Sequence, residues 1–159
     1  KLERRQQVDR ILIWWITLLW LEKRRSVASI HPDVPNFSWS ELTPNHCTEK
    51  DLVAHCCLAV GDRFWNHMKH LQAVRTQWGG PLILTSTWRP EEYNKSVGGA
   101  PNSQHLVWAT DVVPSNPTPE RVKALAKVAA EFNFDGIGIY PDKGFVHLDM
   151  RGYVARWDG

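Results

Sequence analysis

Two histidines and one aspartate stand out for the chemistry they could do: His105, Asp111 six positions on, and His147 far down the chain. Two imidazoles and one carboxylate make a three-ligand set for zinc that leaves a coordination position open for water, as hydrolytic sites require. Asp149 follows two positions after His147. Side chains alternate along a strand, so on an extended segment His147 and Asp149 share a face while Leu148 points away. A carboxylate placed there has two roles open to it. It can act as general base on a water, or it can fix the imidazole tautomer. Arg89 offers a planar fork that suits a substrate carboxylate through two charge-assisted hydrogen bonds. Its plainer reading is a surface ion pair with Glu91 or Glu92.

These side chains need elements to hold them. From Leu52 to Val74, apolar residues recur at spacings of three or four, which predicts helix over residues 48–78, broken near Gly61. Thr48-Glu49-Lys50-Asp51 is an N-cap signature, and Gly79-Gly80-Pro81 stops the helix. Residues 82–86 predict a strand, and residues 107–113 a second one ending at Pro114. Thr118 before Pro119 suits an N-cap followed by the first helical position. Val122, Leu125, Ala126 and Ala129 then predict about three helical turns. Residues 136–140 and 145–150 read as strands joined by a turn at Pro141-Asp142-Lys143-Gly144.

Taken together, these stretches resemble the zinc D-alanyl-D-alanine carboxypeptidase family, which includes D,D-carboxypeptidases, D,D-dipeptidases and the L-alanyl-D-glutamate endopeptidases of phage lysis systems. The family signature is S-x-H-x-x-G-x-A-x-D followed by a later zinc histidine; Ser103, His105, Asp111 and His147 match it. Gly98-Gly99 before Ser103, the group Ser86, Arg89, Pro90 and Asn94, and the close through Gly136, Gly138, Tyr140, His147, Asp149, Arg151 and Trp157 fit the same pattern. The resemblance implies an α+β fold, hedgehog or D-Ala-D-Ala peptidase-like, in which a small antiparallel sheet carries the ligands and helices pack on one side. It implies Zn2+ held by His105, Asp111 and His147, and hydrolysis of a bond in peptidoglycan stem peptides. Asp149 is expected as the general base, with support of the imidazole as the other role. Arg89 is expected as a catalytic and substrate-binding group, and Ser103 as a hydrogen-bond donor to substrate or loop. The chain departs from the signature in two places: the His-to-Asp spacing is one residue shorter, and Trp108 stands at the Gly position. On continuous strand, loss of one residue would turn one ligand to the wrong face. A gap in the loop between Val107 and Trp108 would leave Asp111 in place.

With 159 residues the chain suits a single globular core, and its composition, 43% hydrophobic and 23% charged, is that of an ordinary folded protein. The net charge of +2 gives no argument for nucleic acid as a partner. Residues 1–35 are expected as an apolar helix and linker, and residues 36–159 as the peptidase-like domain, entered at Phe37 with Ser38 or Ser40 as a cap. The apolar run at residues 11–21 is too short, at about 1.5 Å per residue, to cross a hydrocarbon core of about 30 Å. It reads as a surface for burial against a protein or a membrane, ahead of a secretory signal. Location outside the cytoplasm, or delivery to the wall by a phage, follows as an expectation. Cys47, Cys56 and Cys57 make a poor disulfide framework and are expected as buried free thiols rather than a second metal site with His46 and His55. His67 and His70, one turn apart, are expected at the surface or as caps. Two other classes of function stay open: a catalytically silent relative that binds wall peptides, and a structural phage or envelope component.

Overall fold

The computed structural model describes residues 29–43 and 46–159. The apolar run at residues 11–21 lies outside them. Elements follow in the order α1 (Trp39–Leu42), α2 (Glu49–Ala54), a π-helical segment (His55–Val60), α3 (Asp62–Trp78), β1 (Leu82–Ser86), α4 (Glu91–Ser96), a 3-10 turn (Gln104–Leu106), β2 (Ala109–Pro114), α5 (Pro119–Ala130), β3 (Gly136–Tyr140), β4 (Phe145–Asp149) and β5 (Ala155–Asp158). Local signals set the helix ends. The Ser38 side chain accepts from the Glu41 N–H, Thr48 and Asp51 close a capping box, and Thr118 caps α5 ahead of Pro119. The predicted break falls at Gly61, whose φ of +49° suits a residue without Cβ. Before it the helix widens to π winding, a form common at functional sites.

Among the described residues, five strands form one sheet in the order β1-β2-β4-β3-β5. Neighbours run antiparallel except β3 and β5, which are parallel. β5 is an addition to the expected set: its half-buried, half-exposed alternation over only four residues gives little periodic signal. The sheet has one apolar face. Val112, Val146, Leu148 and Ile137 are buried there under α3 and α5, which contribute Phe64, Met68, Leu71, Val122, Leu125 and Ala129. The α+β expectation, with helices on one side, describes this arrangement.

Several local expectations shift. β2 begins at Ala109, not at residue 107, because the chain first makes the 3-10 turn and then Val107 with φ −101° and ψ −80°. Trp108 is fully buried in the helical layer, edge-on to Phe64 at 4.7 Å. Its bulk therefore enters the core and leaves the opposite face clear. His67 is not at the surface. It is fully buried, with Nε2 3.0 Å from the Thr110 hydroxyl, and burial pushes its pKa down to about 3. His70 is partly buried, edge-on to Phe134 at 5.8 Å. The three cysteines are free, as expected, but only Cys56 is buried; Cys57 is exposed and Cys47 intermediate. The stretch before Phe37 packs rather than links: Val34 is fully buried and the Ile30 N–H donates to the Phe37 carbonyl at 3.0 Å.

Candidate metal centre

The face of the sheet away from the helices carries the chemistry. Across the strands Ser86 stands opposite Asp111, Asp111 opposite His147, His147 opposite Gly138, and Gly138 opposite Trp157. A second row sets Ala109 opposite Asp149 and Asp149 opposite Gly136. Directly opposed side chains on one face lie in contact range. The strand register thus brings Asp111 and His147 together, although 36 residues separate them in sequence. The two glycines make room. A Cβ on Gly136 would sit 2.2 Å from Asp149 Oδ2, and one on Gly138 would sit 2.4 Å from the Trp157 ring. β3 alternates Gly-Ile-Gly-Ile because one face is packed with site residues and the other with core.

His105 reaches the same point from the loop. The Ser103 hydroxyl accepts from the His105 N–H at 3.3 Å, so Ser103 starts the 3-10 turn that carries the imidazole. Buried Asn94 ties the preceding glycine loop: its Nδ2 donates to the Ala100 carbonyl at 2.9 Å, and a Cβ on Gly99 would collide with it. Val107 and Trp108 precede β2, and Asp111 on β2 faces His105 and His147.

His105, Asp111 and His147 each offer one ligand atom, all within 4.8 Å of one another, and all three are buried. His105 Nε2 is 3.2 Å and His147 Nδ1 2.9 Å from Asp111 Oδ1. The other nitrogen of each ring is committed. His105 Nδ1 lies 2.5 Å from the Thr87 carbonyl, which can only accept, so Nδ1 carries the proton there. His147 Nε2 lies 3.0 Å from Asp149 Oδ2 and donates to that carboxylate. In the neutral rings both remaining lone pairs therefore point at the Asp111 oxygen. Three acceptors with no hydrogen between them repel unless a proton or a metal cation joins them. This donor set, two imidazoles and a carboxylate, fits zinc.

With no metal ion bound, protons on the rings meet the same demand for positive charge beside Asp111. Burial alone would push the Asp111 carboxyl up, but His105 and His147 hold it well below the ordinary carboxylate value. Burial likewise opposes the charge on Asp149, and Arg151 and His147 override it. Burial alone would lower His147; its bonds to Asp111 and Asp149, and their charges, raise it instead.

Asp149 is fully enclosed. Its Oδ1 accepts from Arg151 Nε at 2.9 Å, and its Oδ2 takes His147 and Arg151 Nη2. Of the two roles open to it from sequence, holding the His147 proton is the one its surroundings match, because no edge of the carboxylate faces open space. Arg89 does not pair with Glu91 or Glu92. Its Nε donates to the Ser86 hydroxyl at 2.9 Å and its Nη2 to Asp111 Oδ2 at 3.1 Å. A β-bulge between Leu84 and Ser86 turns this segment toward the site.

The cleft around these residues holds about 380 Å³. The Gly99–Gln104 loop forms one side. Tyr140, Phe145, Trp157, Arg151 and Tyr153 form the other. Trp157 donates from Nε1 to the Tyr140 hydroxyl at 2.8 Å, and the Arg151 guanidinium lies 4.7 Å over its ring. Sequence reasoning left two contributors without a role. The Thr87 carbonyl is a backbone group and carries no side-chain signal. Arg151 was visible only as part of a tail. His46 and His55 join no metal-ligating cluster among the described residues; their rings stack on Tyr93 and Trp88.

Residues 35–149 match the protein-family model described as Peptidase M15. No curated protein matches the chain.

Proposed function

The chain belongs to the Peptidase M15 family, and from that premise we propose that it is a zinc-dependent peptidase acting on the stem peptides of peptidoglycan, as a D,D-carboxypeptidase or an endolysin-type endopeptidase. The observation that carries this reading is the pair of locked imidazoles whose free lone pairs meet at Asp111. Bound there, zinc would supply Lewis acidity toward a scissile carbonyl and a water. His105, Asp111 and His147 would hold the ion. Thr87 and Asp149 would keep each ring in the tautomer that offers its lone pair. Arg151 would keep Asp149 charged and fixed. Arg89 steadies Asp111 through Nη2, and its place in the cleft suits recognition of a peptide carboxylate by its remaining N–H groups. Ser103 would shape the loop beside the substrate. We assign this activity to residues 36–159, and place its action outside the cytoplasm or at a wall reached by a phage. Residues 11–21 would serve association with a protein or membrane.

One observation favours a second reading, a wall-peptide binder without turnover. Among the described residues, the cleft is lined by no carboxylate except Asp111. The position three before His147 is Gly144, which has no group to act as base. Zinc analysis and digestion of purified sacculi separate the two readings. Stoichiometric zinc that is lost in His105→Ala, with released fragments identified by mass, supports the peptidase. Sacculus binding without cleavage when zinc is supplied supports the binder. Absence of zinc from the wild type overturns the metal reading.

A further inference from the structure

His55 opens the π-wound segment and lies outside the metal cleft, yet it bears on both stretches of chain that orient His105 and Asp111. Its Nε2 stands 2.6 Å from the Val107 carbonyl. A carbonyl only accepts, so Nε2 carries the proton and donates it. The ring also stacks on Trp88, with centroids 4.2 Å apart and planes 15° from parallel. Trp88 sits between two residues that grip the site. The Thr87 carbonyl holds His105 Nδ1. The Arg89 N–H donates to the His105 carbonyl at 2.8 Å, and the Arg89 guanidinium reaches Asp111. His46 holds the Trp88 carbonyl from another side, Nε2 to oxygen at 3.1 Å.

Val107 is the hinge of the metal loop. The 3-10 turn that presents His105 ends there, and the strand that presents Asp111 starts two residues later. A change in the Val107 peptide plane swings one ligand relative to the other. We propose that His55 is a positioning residue for the metal centre: its hydrogen bond fixes the Val107 hinge, its stacked ring fixes the Trp88 shoulder, and together they set the convergence of His105 Nε2 with Asp111 Oδ1. This rests on the metal reading above and extends it to a residue 50 positions before His105.

The test measures zinc affinity by chelator competition, at a temperature where circular dichroism shows every variant folded. His55→Phe keeps a stacking ring and loses the donor, and His55→Gln keeps an amide donor. His55→Ala and His55→Phe are expected to bind zinc about 10–100-fold more weakly than the wild type, the usual effect of losing a group that orients a ligand. His55→Gln is expected to recover at least half of that loss on a logarithmic scale. Val128→Ala on α5 serves as a control that lowers stability and leaves zinc affinity unchanged. Zinc affinity within about threefold of wild type in folded His55→Phe, well short of the effect of a lost orienting group, overturns the proposal; so does His55→Gln with no recovery. A wild type that binds no zinc overturns the metal reading itself, which is a different failure from wild-type binding that His55 does not affect.

Discussion

Asp149→Asn separates the two roles a carboxylate beside His147 can play. The substitution keeps the shape of a fully buried side chain and removes its charge. Its new NH2 must replace one oxygen. At the Oδ1 position it faces the donor Arg151 Nε. Turned toward His147 it faces the Nε2 proton, and the ring is driven to carry its hydrogen on Nδ1, the nitrogen that faces Asp111. Either way the orientation of a metal ligand weakens, which lowers metal affinity by about 10–100-fold, or roughly 1.4–2.7 kcal/mol. The metal-free protein loses less than a severed buried ion pair would suggest, because the Arg151 side chain is 17% exposed and can turn to water. A loss of about 1–3 kcal/mol is expected from the mismatched hydrogen bonds. For a chain of this length that lowers Tm by roughly 2–12 °C, so the variant stays folded near room temperature. Chelator competition gives the affinity, and thermal melts of the metal-free protein give the stability. Unchanged zinc affinity combined with a kcat lowered by about 10²–10⁴ would falsify the orienting role and return Asp149 to that of general base.

Other tests follow from the same contacts. His67 has its pKa depressed from 6.5 to about 3, so it stays neutral in the fold while the unfolded chain takes up a proton below pH 6.5. Stability is therefore fully present above about pH 6.5 and is lost as pH falls toward about 3; between pH 8 and pH 4.5 the share due to His67 is roughly 3 kcal/mol. Urea unfolding of His67→Gln should show that much less loss over the interval; a pH dependence equal to the wild type's rejects the assignment. Gly138→Ala places a methyl against the Trp157 ring and should cost about 1–3 kcal/mol, with a changed tryptophan emission; a neutral effect on Tm contradicts the close approach. Arg89→Lys removes a planar fork that reaches Ser86 and Asp111 together and should raise KM for carboxylate-bearing peptides about tenfold or more; an unchanged KM removes Arg89 from substrate recognition.

Much of this architecture was legible because the signals are local. Capping at Thr48 and Thr118 and the break at Gly61 follow from residue chemistry within one turn. The strands at residues 82–86 and 136–140 follow from short stretches containing β-branched residues between turn residues, and both appear with those bounds. The ligand types were legible too, since a pair of histidines and an aspartate in motif spacing names a metal before any geometry is known. What sequence left open depends on contacts between distant segments. Whether the shortened spacing turns Asp111 away depends on where the chain bends; it bends at Val107, whose carbonyl lies 2.6 Å from His55 Nε2. The burial of His67 was hidden because a histidine on an apolar helical stripe is polar by type, and only the overlying sheet with Thr110 takes it out of water. The part played by Asp149 could not be read from its two-residue spacing to His147, which fixes the shared face and nothing more. Arg151 and the enclosing sheet bear on it, by occupying the oxygens a base would need free. Sequence sets which groups are present and which way each strand presents them; the register of one strand against the next decides which of those groups meet.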